Sequence, residues 1–213
     1  MDGSADLNAQ LARQHLQVMG GFAITATDDL PLRDGTLLLV GPDEPSFWPH
    51  FTQSPEYCDG APDPLDRWSR AVLDPLAAHI GGHAIYPFGG PPWHPFQTWA
   101  QRTGRAWTSP IGFLVHDTAG LFASYRGALV VPWQMDARGA TRPCDTCADQ
   151  PCRSACPVGA FAQGYDVATC KGHLRSPKGA ACMTQGCAAR RACPVGQNLR
   201  LPAQAAFHME AFL

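Results

Sequence analysis

Eight closely spaced cysteines constrain the fold of this 213-residue chain more than any other sequence feature. They form two runs, Cys-x2-Cys-x4-Cys-x3-Cys and Cys-x11-Cys-x4-Cys-x5-Cys, and each run ends in Cys-Pro-Val-Gly. A ninth cysteine, Cys58, lies far from both runs. The eight clustered residues are Cys144, Cys147, Cys152, Cys156, Cys170, Cys182, Cys187 and Cys193.

Two sets of four thiolates are the ligands that two 4Fe-4S clusters need. In the bacterial pattern Cys-x2-Cys-x2-Cys-x3-Cys-Pro, three cysteines bind one cluster and the fourth binds the other. The sequence therefore predicts two 4Fe-4S clusters as cofactors, with all eight cysteines as ligands. Proline suits the first position of a helix, so we also expect helices to begin at Pro157 and Pro194.

The spacing leaves the assignment of ligands to clusters open. In a crossed arrangement, Cys193 completes the set that begins with Cys144, and Cys156 completes the set that begins with Cys170. In an uncrossed arrangement, each run holds its own cluster. Spacing favours the crossed arrangement. Structural zinc, which also uses four cysteines, is the alternative to clusters.

Composition divides the chain into residues 1–137 and 138–213. The first part has seven Lys and Arg against fourteen Asp and Glu, whereas the second has nine against four. The basic excess in the second part would offset the negative charge of the clusters, so we expect no nucleic acid partner. The sequence has no 18-residue apolar run and no signal-peptide pattern, which predicts a cytoplasmic protein without a membrane segment.

Hydrophobic periodicity in the first part predicts an α+β domain with a mainly antiparallel sheet. We expect helices over 4–19, from Pro64 to Gly81 and over 95–104, and strands over 36–40 and 83–88. Pro75 should interrupt or kink the second helix. Strands over 111–116 and 121–131 should form a hairpin through Asp117-Thr-Ala-Gly.

The cysteine order over residues 144–196 resembles the two-cluster ferredoxin module of the epoxyqueuosine reductase family. CDTCADQPCRSACPVG, YDVATC and CMTQGCAARRACPVG carry this resemblance. Residues 83–133 resemble the cobalamin-handling domains of that family and of cobalamin-processing reductases. The resemblance implies a nitroreductase-like sheet-and-helix domain before a bacterial-ferredoxin-like module, with electrons passing from clusters to cobalamin. The sequence offers no match to the catalytic Asp of the epoxyqueuosine enzymes.

Three polar residues near the expected hairpin, His116, Tyr125 and Arg126, are candidates for binding an organic cofactor. Arg126 could bind a phosphate or carboxylate, and His116 could donate a hydrogen bond. These residues could equally be the polar surface of a hairpin end. Three functions follow: a reductase with a corrinoid in the first domain, an electron carrier that docks to a donor or acceptor protein, or a zinc-stabilised interaction module.

Overall fold

The computed structural model describes residues 3–136, 139, 141–197 and 199–213, and these form two compact units. The first unit comprises Met1–Arg105 and Ser124–Ala140, and the second comprises Ala106–Ala123 and Thr141–Leu213. The predicted α+β class with an antiparallel sheet is confirmed. The boundary predicted between residues 137 and 138 lies outside the described residues.

The first unit is a four-stranded antiparallel sheet with helices. Its strand order is β1-β2-β6-β3, and every residue of the two central strands, β2 and β6, is buried. The strand predicted over 36–40 is therefore at the centre of the sheet. The strands are β1 (Leu16–Ala23), β2 (Thr36–Pro42), β3 (His83–Ile85) and β6 (Gly127–Val131), and the helices are α1 (Gly3–Arg13), α2 (Phe47–Phe51), α3 (Pro55–Cys58), α4 (Pro64–His79) and α5 (Phe96–Arg102).

The first helix is shorter than its periodicity predicts, and the expectation of a helix to residue 19 is wrong. α1 ends at Arg13, and His15 has a φ of 52°, which turns the chain into β1. The register of β1 against β2 shifts between Val18 and Gly21. Gly20 lies in this bulge with a φ of 135°, and a Cβ there would come within 2.8 Å of the Thr103 hydroxyl. The glycine pair thus permits a strand bulge and does not end a helix.

The helix predicted from Pro64 is confirmed, and of the interruption or kink expected at Pro75 the interruption does not occur. α4 begins after Asp63 and continues through Pro75 to His79. Its apolar face buries Leu73 and Leu76 on either side of the proline. Burial of these side chains supplies free energy that offsets the lost backbone hydrogen bond. The shorter helix over 95–104 is also confirmed, as α5.

An ion pair between Asp28 and Arg102 joins the loop after β1 to the end of α5. The hydrogen bond from Arg102, with further bonds from Thr25, lowers the pKa of Asp28 to about 2. A carboxyl with a lowered pKa stabilises the folded state above its unfolded pKa, and this stability is lost as the pH falls towards 2.

We therefore expect Asp28→Asn to lower the free energy of unfolding by roughly 1 kcal/mol at pH 7, allowing for the partial exposure of Arg102. The difference from the unmodified protein should vanish near pH 2. Denaturant unfolding at a series of pH values measures both effects. The neighbouring Asp29→Asn is the matched control, and an equal loss in this variant would contradict a specific role for the ion pair.

The turn of the expected hairpin is confirmed, but the pairing of its two strands is wrong. Asp117-Thr-Ala-Gly does form a tight turn, closed by reciprocal hydrogen bonds of 2.9 and 3.0 Å between the main chains of His116 and Gly120. The two strands do not pair, however. β5 (Leu114–His116) pairs with β4 (Ala106–Thr108), whereas β6 pairs with β2 and β3. β5 and β6 thus belong to different sheets and different units.

The second unit has a core built partly from cysteine side chains. Ile111, Val115 and Leu121 share a buried cluster with Cys152 and Cys193. This packing explains why residues 106–123, which composition groups with the first domain, belong to the unit of the cysteine runs. Its helices are α6 (Val167–Leu174), α7 (Ala180–Gln185), α8 (Ala188–Arg191) and α9 (Pro202–Phe212).

The Cys-Pro-Val-Gly segments are turns, so the prediction of helices beginning at Pro157 and Pro194 is wrong. Each turn ends in a glycine of positive φ, 62° at Gly159 and 75° at Gly196. The glycines let the backbone reverse, which a continuing helix would prevent. Among the described residues, no helix has the length and hydropathy of a membrane span.

Candidate functional site

Four cysteines from both runs line one pocket in the second unit. Cys144, Cys147 and Cys152 of the first run meet Cys193, the last cysteine of the second run. The pocket has about 360 Å³ of empty space, counted with its open mouth, and its other lining side chains are mostly apolar, among them Val115 and Leu121. This pocket, the first cysteine site, therefore presents four sulfur atoms in surroundings with few competing polar groups.

Short turns position the cysteines of the first site. Cys144 lies in a 3-10 turn over Pro143–Asp145, and Cys152 lies in a second such turn over Pro151–Arg153. Each turn begins with a proline, whose fixed φ suits a helical first position. Gln150, with a φ of 39°, reverses the chain before the second turn. The x4 spacing in the first run thus accommodates an extra turn between two ligand positions.

The thiols of the first site affect one another's ionisation. Burial raises the pKa of Cys144 and of Cys152, and the neighbouring Cys147 and Cys193 raise both further by charge repulsion. The guanidinium of Arg142 has the opposite effect on the pKa of Cys144. Four thiolates would therefore repel each other here unless a cation or a metal cluster held them together.

Three of the other four cysteines lie near Tyr165, and the fourth lies near one of these three. Burial raises the pKa of Tyr165, and a hydrogen bond from its hydroxyl to Cys170 raises this pKa further. Cys156 and Cys187 are near enough to add to the effect, and Cys182 in turn influences Cys187. We call Cys156, Cys170, Cys182 and Cys187 the second cysteine site.

Helix ends position the second site. Cys170 lies in α6, which Asp166 caps by accepting a 2.9 Å hydrogen bond from the Thr169 main chain. Cys187 is the residue before α8, and main-chain groups of that helix hydrogen-bond to its sulfur. Cys156 accepts a 3.4 Å hydrogen bond from the Ala160 main chain. Such N–H groups stabilise thiolates, the form in which cysteine binds metals.

One cysteine of each run lies near cysteines of the other run. Cys193 lines the pocket of the first run, and Cys156 lies with the second run around Tyr165. Within the described residues, no three His, Cys, Asp or Glu side chains are arranged to hold a single metal ion.

A half-buried arginine lies beside the second site. The guanidinium of Arg190 donates a 2.6 Å hydrogen bond to the Leu121 carbonyl and lies 5.4 Å from the Phe122 ring centre. Burial lowers the pKa of Arg190, while the nearby Cys187 raises it. A thiolate at Cys187 would offset the charge of this cation.

The predicted cofactor residues lie in two different units. His116, in the second unit, is buried, and its Nδ1 atom is 2.9 Å from an oxygen of Asp117 and 3.3 Å from the Ala119 main-chain nitrogen. Tyr125 and Arg126 belong to the first unit. Their role in binding an organic cofactor stays a prediction.

The surroundings of Arg126 are internal to the first unit. Its guanidinium lies 3.8 Å from the Asp66 carboxylate and donates a 3.3 Å hydrogen bond to the Ser124 hydroxyl. Burial lowers the pKa of Arg126, while Asp66 and Glu44 raise it. Two carboxylates of the fold thus already offset the charge that the sequence suggested for a ligand.

Sequence reasoning missed Tyr165, Arg190 and Gly120 as residues of the cysteine sites. Tyr165 precedes Cys170 by five residues, and Arg190 follows Cys187 by three, so proximity to a cysteine was the available signal. Gly120 carried a turn signal only. Its contact with the second Cys-Pro-Val-Gly segment depends on tertiary packing, which spacing does not encode.

Comparison with known proteins gives no family for the chain. No protein-family model matches it, and no curated protein matches it significantly. The arrangement of the cysteines and their neighbours is therefore the basis for a functional proposal.

Proposed function

We propose that the second unit holds two 4Fe-4S clusters and that the protein transfers electrons through them. The observation that carries this proposal is the meeting of Cys193 with the first run, together with the meeting of Cys156 with the second. Eight cysteines thus divide into two fours without a remainder. Exchange of the fourth ligand between two runs is typical of two-cluster ferredoxins, so we infer a ferredoxin-like module.

The residues of both sites fit such clusters. The first site offers four thiols in an apolar pocket, and the second offers four thiols next to hydrogen-bond donors and the half-buried cation Arg190. A bound cluster would supply one-electron chemistry. The chain would set the reduction potential through burial, through hydrogen bonds to sulfur and through local charge.

The two sites differ in the hydrogen bonds that their sulfur atoms accept. At the second site, the Tyr165 hydroxyl donates to Cys170 and the Ala160 main chain donates to Cys156. Hydrogen bonds and positive charge near sulfur favour the reduced, more negative state. These contacts should raise the reduction potential of the second site, just as Arg142 beside Cys144 should raise that of the first.

Metal analysis of protein purified without oxygen tests the proposal. We expect about eight iron and about eight sulfide per chain, with an EPR signal that develops on reduction. Cys58→Ala is the control, because Cys58 is exposed and lies outside both sites. About two zinc per chain without sulfide would overturn the proposal and favour the interaction module.

The first unit carries no part of this proposal. A nitroreductase-like fold, cobalamin as a further cofactor and a donor or acceptor protein as partner stay predictions from the sequence. Titration of the reduced protein with cobalamin, followed by its visible spectrum, addresses the cofactor directly.

A further inference from the structure

Three phenylalanine rings of the second unit contact the ring of Tyr165. The Phe161 ring lies nearly parallel to it, with 4.9 Å between the ring centres and 17° between the planes, and the Phe212 ring does so at 6.3 Å and 22°. The Phe113 ring meets it edge-on at 5.2 Å. Aromatic pairs at such distances attract each other beyond the effect of area burial. The three rings therefore restrict the orientation of the Tyr165 side chain.

The three phenylalanines come from separate segments of the second unit. Phe113 precedes β5, Phe161 lies between the first cysteine run and α6, and Phe212 is the last residue of α9. Phe113 and Phe161 contact each other edge-on at 5.2 Å, and both pack against the buried core of this unit. The place of the Phe212 ring depends instead on where the end of α9 lies.

Two basic side chains at α6 bind the end of α9. The Lys171 ammonium lies 5.0 Å from the centre of the Phe212 ring and donates a 3.3 Å hydrogen bond to the Leu213 main-chain oxygen. Arg175, which follows α6, donates a 3.5 Å hydrogen bond to the same oxygen. A cation over an aromatic ring adds a further attraction. Because α6 also carries Cys170, the helix that provides this cysteine holds Phe212 in place as well.

We propose that Phe212 is a positioning residue of the second cysteine site and that it raises the reduction potential of this site through Tyr165. The Tyr165 hydroxyl donates to Cys170, and this hydrogen bond requires a ring orientation that directs the hydroxyl at the sulfur. Hydrogen bonds to cluster sulfurs are one determinant of the potential. Movement of the end of α9 away from Tyr165 would therefore lower it. The inference rests on the proposed function, because it needs a cluster at the second site.

Redox titration followed by EPR, on protein purified without oxygen, tests this role. Tyr165→Phe removes the hydroxyl and should shift one of the two reduction steps about tenfold towards the oxidised form, which is about 59 mV for a one-electron couple. Phe212→Leu, which keeps an apolar side chain without the ring, should shift the same step in the same direction by less. The protein with both changes should match Tyr165→Phe, because Phe212 acts through the tyrosine hydroxyl.

Met209→Leu is the matched control, because it changes another half-buried apolar side chain of α9. Both reduction steps should be unchanged in this variant. An unmoved potential in either single variant, additive shifts in the double variant, or an equal shift in Met209→Leu would overturn the inference. Iron analysis distinguishes this result from failure of the proposed function. Cluster-loaded variants with unmoved potentials would contradict the role of Phe212 alone, whereas a protein without iron and sulfide would overturn both.

Discussion

Replacing Cys156 by alanine should remove the cluster of Cys170, Cys182 and Cys187, although Cys156 belongs to the other run in sequence. The reason is geometric, since Cys156 lies with that set around Tyr165 whereas Cys193 lines the pocket of the first run. Iron should therefore fall from about eight to about four per chain. Cys193→Ala should also leave about four iron per chain, because it should remove the cluster of the first cysteine site.

Double variants identify which cluster is lost. If the ligands cross, Cys156→Ala with Cys170→Ala loses no more iron than either single change, because both act on one cluster. Cys156→Ala with Cys147→Ala should remove nearly all iron. The uncrossed arrangement predicts the reverse result for the two pairs. Thus iron analysis of two double variants, with Cys58→Ala as control, decides between the arrangements without assigning spectra.

Crossing would also tie the two runs of the chain together. Each run would contribute a ligand to the other's cluster, so neither run could complete its site alone. α8 lies between Cys187 of the second site and Cys193 of the first, and its half-buried Arg190 side chain lies near Cys187. Each cluster would therefore draw the two runs together, while each keeps its own four ligands.

Local sequence signals predicted the features that depend on neighbouring residues. Pro64 marked the start of α4, and the apolar run at 36–40 marked a central strand, because both signals act within a few residues. Spacing also favours a crossed arrangement for Cys156 and Cys193, because the distance between cysteines along the chain limits which of them one cluster can bind, and this assignment stays a prediction.

Features that depend on contacts between residues far apart in the sequence could not be predicted from such local signals. A Gly-Gly pair such as Gly20-Gly21 is typical of a helix end. In the structure, however, Gly20 lies in a strand bulge and allows the backbone to approach the Thr103 side chain closely. The sequence predicted the turn at Asp117–Gly120 but not the strand with which β5 pairs. A turn signal shows where the chain reverses, and it does not show that β5 pairs with the preceding strand β4. Tyr165 becomes informative only once folding places it near Cys156, Cys170 and Cys187.

Gly120→Ala should be among the most destabilising single substitutions in the second unit. A Cβ at this position would come within 2.0 Å of the Val195 carbonyl oxygen and 3.2 Å of the Cys193 sulfur. Its φ of 55° adds strain for any residue with a side chain. Because the clash is with backbone, the second Cys-Pro-Val-Gly turn would have to move, and the first cysteine site with it.

Gly112→Ala separates the clash from the strain. Gly112 also has a positive φ, 82°, but a Cβ there would meet nothing within 4 Å. In both variants an alanine must adopt a positive φ, which destabilises the folded state by about 1 kcal/mol or more. Only the alanine at position 120 also clashes with neighbouring atoms. We expect Gly120→Ala to lower the free energy of unfolding by at least about 2 kcal/mol more than Gly112→Ala, measured by denaturant titration. If both variants lost the same free energy of unfolding, the contact of Gly120 with the second Cys-Pro-Val-Gly turn would not stabilise that turn. Contacts with the cysteines of the first run would then position Cys193.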